Sequence, residues 1–261
     1  MMMAKSNRRR DEERRRAAAA AKVAEMRQAQ LAAERRRRSL TVGAVAVAVI
    51  VIVVGVFVFI QTRSSAPTVA ASGVHGSTGG YGFVVGKADA PASMVVYEDF
   101  QCSICKNFED TDGAMMATKI TAGTLKVEYR PIAILDRLSS TDYSSRASNA
   151  SACVRNATDT QTWKAYHDLL FQHQPAENSS GLTDEQLTTY ATQAGATAPT
   201  VGTCISSDTY KNWVSSATDA SNKAGVTGTP TVLLNGKSVD TSQLNDVTAF
   251  TKLIDAAANK S

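Results

Sequence analysis

The chain has 261 residues, 43% of them hydrophobic and 20% charged, with a formal net charge of +4. That apolar content can bury a core and excludes whole-chain disorder, while four cysteines are too few for a disulfide-dense scaffold of this length. The charge divides unevenly: residues 1–39 hold 13 Lys and Arg against 5 Asp and Glu, and residues 40–261 hold 15 against 19, so the body has no positive surplus and no nucleic-acid partner is expected.

The basic leader, residues 1–39, reads as an Ala-rich helix with acid-first i,i+4 pairs, Asp11 with Arg15, Glu12 with Arg16 and Glu34 with Arg38. Residues 40–60 then run without a charge, nearly all Val, Ala, Ile, Gly or Phe. As a helix that stretch spans about 31 Å, the thickness of a bilayer's hydrocarbon core, so a single membrane span is predicted. A cleaved signal peptide would have a shorter apolar region and a shorter leader, although Val69-Ala70-Ala71 imitates a cleavage site. Arg35, Arg36, Arg37 and Arg38 abut the span on one side and only Arg63 lies close on the other. The positive-inside rule therefore puts the N-terminus in the cytoplasm and the rest of the chain outside. Residues 61–80 are rich in Ser, Ala, Gly and Thr and read as a flexible tether, which starts the folded domain near Tyr81 and carries it to about Asn259.

Within that domain a strand is expected over residues 93–100, carried by Met94, Val95, Val96 and Tyr97. A helix begins at Cys102 to Cys105 and runs toward Met116, and a second strand covers residues 125–135. Residues 140–225 look wholly helical: Trp163, Tyr166 and Leu170 have helical spacing, as do Tyr210, Trp213, Val214 and Ala217. Thr183 to Gln186 fits a capping box, and Gly225 a helix stop. Residues 231–234 and 237–240 flank Asn235-Gly236, a strong hairpin signal, and a last helix puts Val247, Phe250, Leu253 and Ile254 on one face. The order is that of an α/β domain with a helical insertion.

The chemistry lies with Cys102, Cys105, Cys153 and Cys204, which allow three full pairings. Cys102-Ser103-Ile104-Cys105 stands where a strand gives way to a helix. The free amides and dipole of a helix N-terminus favour an anion, so a thiolate at Cys102 is stabilised there. The first cysteine is expected exposed in the first turn, and the second facing inward. By themselves these residues are compatible with a redox dithiol, half a zinc site, or an inert disulfide. His167 and His173 have the spacing of a finger's histidine half, but 61 residues separate Cys105 from His167, too many for a compact finger.

A second motif, Gly228-Thr229-Pro230-Thr231, stands directly before an apolar strand and is compatible with a cis peptide. The run from Glu98 through Cys102 and Cys105 to Phe108, taken with the run from Gly225 to Thr231, resembles DsbA-like thiol:disulfide oxidoreductases, above all the membrane-tethered kind of Gram-positive bacteria and actinobacteria. The resemblance covers roughly residues 80–256. It implies a thioredoxin-like fold with the helical insertion, Cys102 as attacking nucleophile, Cys105 as resolving thiol, and Pro230 as a cis-proline opposite them. It also implies that the backbone of Thr229 helps hold a substrate chain as an added strand, which would tolerate many sequences. The partners implied are reduced secreted proteins and a DsbB-like or vitamin K epoxide reductase-like reoxidant in the membrane. No metal or organic cofactor is implied.

Two departures bear on redox strength. Ser103 stands where the family commonly has proline, with Ile104 in place of a histidine or aromatic residue. Val96 stands where many thioredoxin-fold enzymes keep a buried acid, leaving Glu98 and Asp99 as either substitute proton acceptors or surface charges. Cys153 and Cys204, both in the helical block, are expected to form a structural disulfide outside the membrane, with an electron-relay pair as the alternative. The function expected is oxidation of secreted proteins' thiols. A reductase or isomerase, or an anchored binding module without catalysis, are the other readings.

Overall fold

The computed structural model describes residues 73–259, so the expected leader (1–39), membrane span (40–60) and most of the tether fall outside the described residues. Among the described residues no helix is long and apolar enough to cross a membrane.

The central strand is β2 (Ala92–Glu98), whose β-branched and aromatic residues suit a pleated, doubly covered position. Ala92, Met94 and Val96 turn one way into the main core, and Val95 and Tyr97 turn the other way toward a smaller cluster with Ile132, Val226 and Leu233. On one side β2 pairs in parallel with β3 (Leu125–Pro131), and on the other antiparallel with β4 (Thr231–Leu234). Parallel neighbours need a crossover, supplied here by α1 (Ser103–Ala122). That helix stops at Gly123, whose φ of +74° lets its amide and that of Thr124 close back on the carbonyls of Ile120 and Lys119. β1 (Phe83–Val85) adds to the outer edge of β3, and β5 (Lys237–Ser238) to that of β4, giving the order β1-β3-β2-β4-β5.

The second strand is shorter than the expected 125–135. The ladder runs to Pro131, and Ile132 still donates to the Glu98 carbonyl at 2.8 Å. The Ala133 amide then goes to Thr218 Oγ1, and those of Ile134 and Leu135 to the Asp99 carboxylate, so side chains replace the neighbouring strand as acceptors. A single 3₁₀ turn follows at Asp136–Leu138.

The expected helical block is five helices: α2 (Tyr143–Ala157), α3 (Thr160–Gln172), α4 (Asp184–Gln193), α5 (Pro199–Ser206) and α6 (Lys211–Lys223). Residues 158–159, 173–183, 194–198 and 207–210 interrupt it. The capping box is present at the start of α4, where Thr183 and Gln186 exchange side chain-to-backbone bonds. Trp163, Tyr166 and Leu170 on α3, and Trp213, Val214 and Ala217 on α6, face the core. Phe83 of β1 meets Trp163 at 4.9 Å and Trp213 at 5.5 Å between ring centroids, which seats the insertion on the sheet's edge. Cys153 of α2 and Cys204 of α5 form a disulfide.

The hairpin between β4 and β5 turns on Asn235 (φ 46°) and Gly236 (φ 76°), the paired positive angles that favour this dipeptide. In the last helix, α7 (Val247–Ala258), Phe250 and Ile254 are buried and Val247 is exposed. Phe250 meets Phe108 of α1 at 5.9 Å. Packed chain also begins before Tyr81. Val74 is 3% exposed, and Thr78 donates to Glu128 of β3 at 2.5 Å, so residues 74–80 are tied to the domain in spite of their tether-like composition.

Candidate active site

The register of the sheet brings the two sequence motifs together. Thr231, the first residue of β4, lies opposite Tyr97 near the end of β2, and the chain from β2 turns through Asp99-Phe100-Gln101 into α1. The residues before β4 therefore meet the start of α1. The Thr229–Pro230 peptide is cis, Pro230 is buried, and the turn is held by a 2.7 Å bond from Thr231 Oγ1 to the Gly228 carbonyl. Cys102 Sγ lies 3.2 Å from the Thr229 carbonyl.

Cys102 is the N-cap of α1, and its side chain offers the first-turn amides no hydrogen bond. No helix carbonyl can take those amides, so they favour a negative charge at this end of the helix. Both thiols are unpaired, so the site stands in its dithiol form. Hydrogen bonding from the Cys105 thiol holds the Cys102 thiol down at about 6 against the opposing effect of burial, with further support from the Thr229 side chain and the amides of Cys105 and Ile104. Cys105 is 1% exposed, and burial pushes its thiol well above the ordinary range. Two thiols one helical turn apart thus differ sharply in acidity, the first a thiolate near neutral pH and the second a proton holder.

Cys102 is less open than its motif suggests, at 5% exposed. The Thr229–Pro230 turn covers it from one side. From the insertion, Gln174 Nε2 donates to the carbonyls of Phe100 and Cys102 at 3.1 and 2.9 Å. Ile104 instead projects outward, 59% exposed, and Ser103 beside it has its amide bonded to Glu177 Oε1 at 2.9 Å.

Neither Glu98 nor Asp99 is a surface charge; both are buried. Burial pushes the Asp99 carboxyl up to about 6. Four donors meet it: Ser144 Oγ at 2.6 Å and the Gln101 amide at 2.9 Å on one oxygen, and the amides of Ile134 and Leu135 at 3.0 Å on the other. Those four bonds tie the CxxC loop to the chain leaving β3. Val96 sits in the core, as its apolar side chain requires.

Glu98 pairs with His167 of α3, whose Nε2 lies 3.0 and 3.1 Å from the two carboxylate oxygens. Burial, the largest single effect, lowers the imidazole, but the Glu98 charge together with the hydrogen bonds to Asp168 and Glu98 carries His167 up to about 9. Glu109 of α1 completes a set of three whose ligand atoms lie within 4.8 Å of one another, a spacing that could hold a metal ion. Lys164 Nζ lies 3.8 Å from Glu109, however, and with protonated His167 it already brings two positive groups among these acids. The other finger-spaced histidine, His173, goes elsewhere and stacks on Tyr190 at 4.4 Å.

Sequence reasoning passed over Gln174 and Glu177, which reach the site from a loop more than 70 residues on and carry no local signal. The Glu98–His167 pair had one, since a histidine on the apolar face shared by Trp163, Tyr166 and Leu170 needs a buried partner.

The family model described as thioredoxin matches residues 78–256. Serine/threonine-protein kinase PknE of Mycobacterium tuberculosis is 33% identical over 130 residues, which is 48% of this chain and 23% of the kinase. The chain therefore spans about a quarter of that relative. Disulfide bond formation protein D of Bacillus subtilis is 26% identical over 156 residues, covering 59% of this chain and 68% of that protein. Among solved structures, the reduced disulfide bond oxidoreductase DsbG of M. tuberculosis superposes with a TM-score of 0.59 at 28% identity, over 70% of this chain and 95% of that one.

Proposed function

This chain belongs to the thioredoxin family, and from that premise we propose that it is a thiol:disulfide oxidoreductase that oxidises the thiols of other proteins through Cys102 and Cys105. The observation that carries the reading is the opposed acidity of the two thiols, Cys102 held near 6 beside the Thr229–Pro230 turn and Cys105 buried and pushed up. The names of the Bacillus and Mycobacterium relatives, which speak of disulfide formation and oxidoreductase activity, support it.

In the oxidised protein, a client thiolate attacks Cys102 of the Cys102–Cys105 disulfide, and Cys105 leaves and takes a proton. A second client thiolate attacks the client sulfur of the mixed disulfide, and Cys102 leaves as the stabilised thiolate. The client loses two electrons and the protein gains them. A thiolate that is easy to form is a good leaving group, so a low Cys102 pKa favours this direction. In this proposal Thr229 aligns the client backbone, Ile104 offers it an apolar contact, and a quinone-linked membrane protein reoxidises the dithiol. The charge pattern of residues 35–63 supports anchoring in the membrane with the catalytic domain outside.

The test is equilibration of the full chain with glutathione buffers, followed by transfer of its disulfide to a reduced, unfolded client. An oxidase has a potential above thioredoxin's roughly −270 mV and gives its disulfide away. A potential at or below that value assigns a reductase or isomerase, and failure to exchange at all assigns a binding module.

A further inference from the structure

Residues 173–183 leave α3 and pass over the start of α1. Gln174 anchors this segment through its two bonds to the carbonyls of Phe100 and Cys102. Three residues on, Glu177 accepts the amide of Ser103, the first residue of α1. That amide belongs to the set that no helix carbonyl can take and that favours negative charge at the helix end. The amides of Ile104 and Cys105 serve the Cys102 sulfur, while Ser103's is occupied by a carboxylate. The same bond holds the Glu177 carboxyl below its usual range, so Glu177 is ionised wherever Cys102 titrates. No positive charge lies between the two cysteines to offset it, and Lys106 is paired with Asp110.

We propose that Glu177 is a positioning residue that weakens the oxidising strength of the CxxC pair, by seating the first turn of α1 while placing a negative charge on the same helix N-terminus that stabilises the Cys102 thiolate. The repulsion falls on the reduced form alone, because the disulfide carries no charge. Its consequence for exchange rests on the oxidoreductase reading above, but its effect on Cys102 does not.

The reduced full chain and its Glu177→Gln variant, which keeps an acceptor for the Ser103 amide and loses the charge, are titrated by thiolate absorbance and equilibrated with glutathione. Cys102 should titrate about half a unit lower in the variant and the equilibrium should move about threefold toward the dithiol. High salt should erase most of the difference. Glu177→Ala should lower the titration as well, and Gln174→Ala, which frees the segment, should move it in the same direction. An unchanged or raised Cys102 titration in Glu177→Gln overturns the proposal, and so does a lowering that salt leaves untouched. If the titration falls as expected while no disulfide exchange with clients occurs, the functional reading fails and the assignment of Glu177 stands.

Discussion

Removing the Glu98–His167 pair tests whether the site's foundation is electrostatic. The imidazole is enclosed by the rings of Phe100, Tyr129, Trp163 and Phe171, with centroids 5.8, 4.7, 5.4 and 5.0 Å away, and its charge is answered through Glu98. A rise from 6.5 to about 9 on folding corresponds to roughly 3 kcal/mol. Because the folded value lies above the unfolded one, that contribution is complete below pH 6.5 and is lost as pH rises through about 9. The measurement is urea unfolding of the parent and of the double variant Glu98→Gln with His167→Gln on both sides of this window. Comparing the two cancels the titration of the thiols, which neither substitution touches. The parent's advantage should shrink by about 3 kcal/mol between the acid and alkaline ends. His167→Ala alone strands a buried carboxylate and should cost about 3–5 kcal/mol, more than the double variant. A difference that does not vary with pH, or a single variant milder than the double, would refute the reasoning.

Cys105→Ser should accumulate mixed disulfides through Cys102, whereas Cys102→Ser should trap almost nothing because Cys105 is buried and protonated; non-reducing gels with mass mapping decide, and equal trapping argues against the division of roles. Replacing Cys153 and Cys204 by Ala should lower stability by up to about 4 kcal/mol while leaving exchange per folded molecule intact, and loss of exchange in a folded variant would favour an electron relay. Protease added to intact cells should remove the domain and spare the leader; a domain released only by lysis contradicts the outward orientation.

What was legible in the sequence was what local chemistry writes there. Met94 to Tyr97 are β-formers and make the central strand, Asn235-Gly236 makes its turn, and Thr183 with Gln186 caps α4. The cysteine spacing at a strand-to-helix junction pointed to the site. The rest depends on contacts between distant parts of the chain. β3 ends early because the side chains of Thr218 and Asp99, distant in sequence, take the amides of Ala133, Ile134 and Leu135. The burial of Cys102 depends on the turn before β4 and on Gln174, and no local pattern announces either. Glu98 and Asp99 look alike in sequence, but a histidine 69 residues on claims one and a ring of donors the other.

The Cys153–Cys204 bond joins α2 to α5, so it lies wholly inside the insertion, and both stretches of chain that cross from insertion to sheet lie outside its loop. The molecule is therefore reinforced in one half only. What fastens the lid of helices to its base is a set of reversible contacts, Phe83 against two tryptophans, Gln174 on the CxxC carbonyls and His167 on Glu98. The covalent brace thus stiffens the insertion within itself, while its hold on the sheet rests on a shared core, on hydrogen bonds and on the two chain crossings.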